Sequence, residues 1–504
     1  MKKLFAVLVA LTLVLSMGTI ALATDGATTA TGTITISNAL EGATYNIYKM
    51  FNFAPVAGST TQGRYTVVAG WEDFLAGDGA AYLKENTETG TIEWVGEESE
   101  ERKAELAKAA IAYAKQKSIA ATETKTAAAD GEVTFEGVAL GYYAIDTSLG
   151  TICALTNVDN TFNTHEKNEK PDIDKFVQED SEMTNPDEGW GKVNDADIDQ
   201  VVNYKSTITV GVGATNYVMH DTMEAGLTFN TDSVVVKLAD GTPVAATNYT
   251  VVYPATDGHT FDVTFKNDFI AGLGKGDTFT VYYSATLNEN AKIVDDGNDN
   301  TVYLSYGEDS TWETAEHKTT TYTWKMDVLK YAGTDKTPLA GAKFMVLKTE
   351  NDENSAIGFV QVTSVNGEAV TVPTYRVAVD GDEETSVVKI IETSTEKGAN
   401  GKFEIIGLDE GTYYLHETEA PAGYNKLAAD LDVVITSTYD EAALTATYKI
   451  NSADPATIEV ENKTGSLLPE TGGIGTTIFY VVGGILMLAA LVLLVSKKRM
   501  ANFA

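Results

Sequence analysis

Apolar residues recur at every second position in short runs along most of this 504-residue chain, and that period limits the fold more than any other feature. Ile34/Ile36 and Phe279/Val281/Tyr283/Ala285/Leu287 are examples. Alternation sends successive side chains to opposite faces of a strand, so the apolar row of each run must be covered by a second sheet. Thr, Val and Tyr fill the runs, while Gly, Asn and Asp punctuate them. The expected class is all-β, a series of tandem β-sandwich domains. One stretch breaks the period. Residues 100–117 place Leu106, Ala110, Ile111 and Ala114 on one helical face, giving a short helical insertion in the first domain.

The two ends say where the chain goes. Lys2 and Lys3 precede an apolar stretch over 4–15, and Ala21-Leu22-Ala23 is a small-x-small cleavage site. Residues 1–23 therefore read as a secretory signal peptide, with a mature start near Thr24. At the far end Leu468-Pro469-Glu470-Thr471-Gly472 is followed by an apolar run over 474–495 and then by Lys497-Lys498-Arg499. About 20 apolar residues cross a bilayer as a helix. The three cations keep the last residues cytoplasmic, so the pentapeptide lies just outside the membrane. This three-part order resembles the LPxTG cell-wall sorting signal of Gram-positive surface proteins. The resemblance implies cleavage after Thr471 and transfer to peptidoglycan, with the membrane holding only the precursor. A plain single-pass anchor is the competing reading.

A mature length of roughly 450 residues implies about three domains. The formal net charge of −36 argues against nucleic acid, whose recognition needs clustered Lys and Arg. It suits a solvated extracellular surface. The single cysteine, Cys153, rules out an intramolecular disulfide, the usual staple of durable secreted domains. Some other staple is expected. Cys153 lies in Thr151-Ile152-Cys153-Ala154-Leu155 and reads as a small buried hydrophobe.

Charged links at 165–171, 316–320 and 463–466 interrupt the strand pattern. They divide the chain into domains over 31–167, 170–318 and 322–464, then a sorting region over 465–504. The first and third domains repeat at an offset of 270: Gly137, Gly141, Tyr143 and Ile145 align with Gly407, Gly411, Tyr413 and Leu415. At the same offset Glu417 meets Thr147, so only the third copy carries the carboxylate.

Tyr413-Tyr414-Leu415-His416-Glu417-Thr418-Glu419-Ala420-Pro421-Ala422-Gly423-Tyr424 fits YxLxETxAPxGY in full. It resembles the E-box of Gram-positive pilins and of Ig-like Cna B-type domains, as do Val328-Leu329-Lys330, the opening Pro338-Leu339-Ala340-Gly341-Ala342-Lys343-Phe344 and the last strand Ile458-Glu459-Val460-Glu461-Asn462. Alternation points Glu417 inward with Tyr413 and Leu415. A buried lone carboxylate prefers its proton, and a buried lysine prefers to lose one. A neutral amine beside a carboxamide polarised by a protonated acid is set up for amide exchange with loss of ammonia. The resemblance assigns Lys330 and Asn462 as the joined pair and Glu417 as acid/base, against a plain buried ion pair. The first domain is similar in kind, a Cna B-like pilin domain, but Thr147 argues against the same crosslink there.

In the second domain, Pro171-Asp172-Ile173-Asp174-Lys175-Phe176-Val177, His220-Asp221-Thr222 and Asn300-Thr301-Val302-Tyr303 look like a Cna A-type domain. There the resemblance implies a Lys175–Asn300 bond assisted by Asp221, each bond running from a first strand to a last one. A covalent tie closing a loop of about 130 residues is worth roughly 4–5 kcal/mol in the chain-entropy model. It would also carry tension past the sandwich.

Thr164-His165-Glu166-Lys167-Asn168 resembles the pilin motif, whose lysine attacks the acyl-enzyme that a sortase forms from another subunit's LPxTG threonine. Lys167 holds that place, although His165-Glu166 replaces the usual Tyr-Pro, and Lys170 competes with it. Val252-Tyr253-Pro254 is followed by Ala255, which has no amine. The five histidines lack HExxH spacing, and no Gly-rich phosphate loop occurs. Asp295-Asp296-Gly297-Asn298-Asp299 lacks EF-hand order and reads as an acidic turn. No metal and no cofactor is expected.

The whole pattern resembles the SpaA-type major pilins of Gram-positive bacteria. That implies a structural, non-enzymatic subunit on the cell wall, whose partners are a class C pilus sortase, a housekeeping sortase, identical subunits, peptidoglycan and minor pilins. A monomeric wall-anchored adhesin or a tip or base pilin is the alternative.

Overall fold

A computed structural model describes residues 31–501, except 56–62, 159–160, 182, 184, 186, 309–311, 455–456 and 465–473. Side chains of Pro55, Glu100, 151–160, 474–479 and 498–501 are not described. The signal peptide, the Leu468–Gly472 pentapeptide and the Cys153 side chain thus lie outside the described residues.

The alternating runs form three two-sheet sandwiches in tandem. In the first, Thr31–Ala39 is flanked by Gly131–Ala139 and, in parallel, by Thr161–His165. This small sheet packs on one built from Thr44–Pro55, Gly141–Thr147, Gly150–Val158, Gly63–Val67 and Glu123–Thr126. The helical insertion runs Glu100–Gln116, with Ser99 Oγ capping its first turn through Arg102 N. Its face of Leu106, Ala110, Ile111 and Ala114 is buried in a separate core with Trp71 and Phe74.

The third sandwich repeats the first. Trp324–Ala332 is flanked by Lys402–Leu408 and, again in parallel, by Ile458–Glu461. The 270-residue offset survives in detail. Tyr143 OH donates to Ala139 O at 2.6 Å, and Tyr413 OH to Asp409 O at 2.9 Å. Gly137 and Gly407 have φ of +68° and +87°, the left-handed region that glycine occupies without cost.

The second sandwich sets a sheet containing Asp172–Gln178, Val201–Thr209 and Thr278–Leu287 against one containing Val218–Met223, Asn298–Tyr306 and Phe261–Phe265. Two sequence expectations are corrected here. Residues 316–320 are not a link: His317–Tyr322 is a strand paired with Asn298–Tyr306. Its Thr319, Thr320 and Thr321 are buried. β-Branched residues fit a packed strand, and the charges of Glu316 and Lys318 had obscured that. The boundary drawn at 318 and 322 therefore falls at Thr323. It follows that Asn300 is not on the last strand of its domain, since His317–Tyr322 comes after it.

Past the sandwiches, Ile474–Ala501 is one helix. Residues Tyr480–Lys497 have a mean hydropathy of 2.2, and none of the described residues buries them. This helix is long and apolar enough to cross a membrane.

Candidate crosslinking sites

In the third sandwich, strand alternation delivers the expected residues to one point. Tyr413, Leu415 and Glu417 face inward from Gly411–Glu419, and Lys330 faces inward from Trp324–Ala332. Lys330 and Glu417 come from opposite sheets, and Asn462 follows the strand Ile458–Glu461 that lies parallel to Lys330's own. Lys330 has no exposed surface, and Glu417 and Asn462 are 1% exposed. Lys330 Nζ lies 3.2 Å from Glu417 Oε1 and in direct contact with Asn462 Oδ1. Asn462 Nδ2 donates to the same Glu417 oxygen at 2.9 Å. The other oxygen, Oε2, accepts from Leu427 N at 2.7 Å, which fixes the carboxyl plane. Burial lowers the Lys330 ammonium pKa, against the opposing pull of Glu417. The nucleophile, the amide it would attack and a proton carrier are thus in mutual contact and out of water. Turning the carboxamide by 180°, which exchanges its oxygen and nitrogen, offers its carbonyl to Glu417 instead.

In the second sandwich, Lys175, Asp221 and Asn300 each have no exposed surface. Lys175 Nζ lies 2.6 Å from Asp221 Oδ2 and contacts Tyr283 OH. Tyr283 OH donates to the same Asp221 oxygen at 2.5 Å. Burial drives Lys175 down to about 8, with Asp221 pulling the other way. Burial likewise pushes the Asp221 carboxyl up, with Lys175 opposing. Both displacements favour the neutral pair. Met223 and Asn300 sit opposite one another across the strand pair, one step along the inner face from Asp221 and Val302. Neither polar atom of the Asn300 side chain has an aligned hydrogen bond, nor has Asp221 Oδ1, although Asn300 is near enough to Asp221 to stabilise its charge. A buried polar atom left unpaired costs roughly 1–3 kcal/mol. Loss of the Asn300 amide nitrogen would remove one of these atoms.

Sequence reasoning missed Tyr283 and Leu427. Tyr283 stood in plain view within an alternating run, but nothing in that run marks which inward tyrosine meets the lysine. Among the described residues, the first sandwich does not repeat this set. Ile36 and Val328 occupy equivalent places through their partners Val133 and Phe403; Ala39 then pairs with Gly131 as Lys330 bonds to Gly401, so Lys330 corresponds to the buried Ala39, past an irregularity at the exposed Asn38. Glu417 corresponds to Thr147, which is buried.

The link between the first two sandwiches holds the remaining lysines. Lys167 is exposed, and its backbone N–H donates to Glu166 Oε1 at 2.8 Å. The neighbouring Asn168 gives that oxygen two more hydrogen bonds, through N and Nδ2. Lys170 Nζ instead lies over the Trp312 ring, 5.5 Å from its centre.

Tandem sandwiches with buried Lys–acid–Asn sets, an exposed link lysine and a C-terminal apolar helix define a multidomain surface protein. Comparison with known proteins agrees. The family SpaA, prealbumin-like fold domain, matches residues 325–451, and the LPXTG cell wall anchor motif matches 460–502. The chain is thus anchored at the cell wall of a Gram-positive bacterium. The trypsin-resistant surface T6 protein of Streptococcus pyogenes serotype M6 is 25% identical over 343 residues, spanning 58% of this chain and 62% of that relative's length. The solved T6 backbone pilin of serotype M6 S. pyogenes has a modular three-domain structure. It superposes with a TM-score of 0.50 at 15% identity, covering 88% of this chain and 100% of its own. That likeness is one of fold.

Proposed function

We propose that this chain is the backbone subunit of a covalently polymerised pilus, stiffened by Lys330–Asn462 and Lys175–Asn300 isopeptide bonds. The observation that carries the reading is the third-domain set, where Lys330 Nζ touches the Asn462 carboxamide while Glu417 touches both. Lys330 Nζ attacks Asn462 Cγ, and the Cγ–Nδ2 bond breaks as the Nζ–Cγ bond forms. Glu417 takes the proton that Nζ sheds and returns it to the departing nitrogen, which leaves as ammonia. Asp221 serves Lys175 and Asn300 in the same way, with Tyr283 holding the carboxyl in place. Each reaction happens once, so the protein is not an enzyme in the turnover sense.

Between subunits, a class C sortase cysteine cleaves Thr471–Gly472 and holds Thr471 as a thioester. Lys167 Nζ of the next subunit attacks that carbonyl and releases the thiol, leaving a Thr471–Lys167 amide. A housekeeping sortase passes the last subunit to peptidoglycan. The exposure of Lys167 in the link and the matched anchor motif support this assembly. The test is electrophoresis of wall extracts in SDS. A ladder of resistant bands is expected from the wild type and none from Lys167→Ala. A wild type that yields only single subunits would leave a wall-tethered monomer.

A further inference from the structure

The strand that supplies Asp221 to the interior presents His220 on the opposite face. There one ligand atom from each of His220, Asp257, His259 and Asp262 lies within 4.8 Å of the others. The residues come from the strand Val218–Met223, from the strand Phe261–Phe265 paired to it and from the loop just before that strand.

Both imidazoles are held from behind. His220 Nε2 is 2.9 Å from Ser305 Oγ, and His259 Nε2 is 3.1 Å from Tyr303 OH. Both hydroxyls belong to Asn298–Tyr306, the next strand of the sheet. The rings are also clamped by stacking, with His220 and Tyr303 centroids 4.8 Å apart. The two Nδ1 atoms are thereby turned toward the carboxylates. His220 Nδ1 is 2.8 Å from Asp262 Oδ1. His259 Nδ1 is 2.8 Å from Asp257 Oδ1 and 3.7 Å from Asp262 Oδ1, yet it is buried and forms no hydrogen bond. Asp262 Oδ1 therefore lies between two ring nitrogens. Three side chains are 12–19% exposed, while Asp257 at 43% leaves an entrance from solvent.

Two nitrogen and two oxygen donors converging from fixed backbone, each histidine's far nitrogen held by a hydroxyl, is the donor set and outer shell of a tetrahedral transition-metal site. We infer that His220, Asp257, His259 and Asp262 form a binding site for a divalent transition-metal ion, Zn²⁺ being the best match to two imidazoles and two carboxylates. Donors of a tetrahedral Zn²⁺ site stand about 3.3 Å apart, so the cluster closes by small movements, chiefly of the exposed Asp257. Hard cations such as Ca²⁺ and Mg²⁺ favour all-oxygen shells and fit poorly. The bound ion would pin the loop before Phe261 to the sheet whose inner face carries Asp221 and Asn300.

The test is isothermal titration of the full chain in detergent with ZnCl₂, and separately with CaCl₂, after chelator treatment. One Zn²⁺ per chain is expected, with affinity for Ca²⁺ weaker by at least about a hundredfold. His259→Ala and Asp262→Asn should each abolish the Zn²⁺ signal, while His317→Ala leaves it unchanged. Co²⁺ added to the wild type should give the visible absorption of a tetrahedral site. Far-ultraviolet circular dichroism shows whether the variants remain folded; for one that does not, His220→Gln takes its place. Lack of stoichiometric Zn²⁺ binding, equal affinity for Ca²⁺, or full binding by folded His259→Ala would overturn the assignment.

Discussion

Lys330 Nζ lies 3.2 Å from Glu417 Oε1, and neither side chain has exposed surface. An ion pair in that position gives up the hydration of both charges, and its attraction must make up the difference. Conversion to an amide removes the charge of Lys330, and the proton its ammonium gives up leaves the Glu417 carboxyl neutral as ammonia departs. The Glu417→Gln variant should therefore fall short of its own sequence mass by one ammonia, where the wild type falls short of its own by two. Its third domain should lose about 4–5 kcal/mol, the chain-entropy value for a closed loop of this size. A Glu417→Gln protein that still sheds the full two ammonias would refute the assigned role.

Tyr283 should matter to the second bond without being essential to it. Its hydroxyl donates to the Asp221 oxygen that meets Lys175. A hydrogen bond to a charged group is worth about 1.5–3 kcal/mol, so Tyr283→Phe should slow crosslinking on the order of ten- to a hundredfold. Peptide mapping over a refolding time course measures this. Asp221→Ala should give no Lys175–Asn300 peptide at any time.

Charge and nucleophilicity can be separated at the link. Lys167→Arg keeps the cation but offers no competent amine, so the resistant ladder should vanish. Lys170→Ala should keep the ladder. Its cost, the contact over Trp312, is about 0.5–1 kcal/mol at an exposed site and would appear as a small drop in melting temperature.

The junction of the second and third sandwiches should loosen in base. Asp195 accepts from Ser437 Oγ at 2.6 Å, Tyr439 OH at 2.5 Å, Glu410 N at 3.1 Å and Trp324 Nε1. Burial and then Glu179 raise Asp195 to about 7. Burial, Asp195, Asp197, Glu179 and Asp180 raise Asp409 to about 9. Raised carboxyls bind more protons folded than unfolded, so their contribution is full at acid pH and is lost as pH climbs through 7 and 9. Each extra proton held by the folded form means a loss of about 1.4 kcal/mol per pH unit. Calorimetry at pH 5, 7 and 9 should show a falling transition temperature, with a shallower fall from 5 to 7 in Asp195→Asn.

Much of the crosslinking sites was legible because a strand's period is so short. Once Tyr413, Leu415 and Glu417 share a face, the side on which Glu417 lies is settled. The repeat at 270 residues named the paired tyrosines for the same reason: equal spacing in equal strands gives equal places in the fold. Threonines 319–321 were misread because they stand between charges, and local polarity hid a strand that is buried only through its partners.

The sequence alone determined the anchor at the C-terminal end, the sandwich class and the inward direction of Glu417, since charge order and period-2 alternation act over a few residues. The tertiary structure alone decided which side chains meet. Tyr283 reaches Asp221, Asp195 enters the third sandwich, and His220 joins His259 across paired strands. Those contacts depend on sheet register and on packing between sheets, and no window of neighbouring residues contains either.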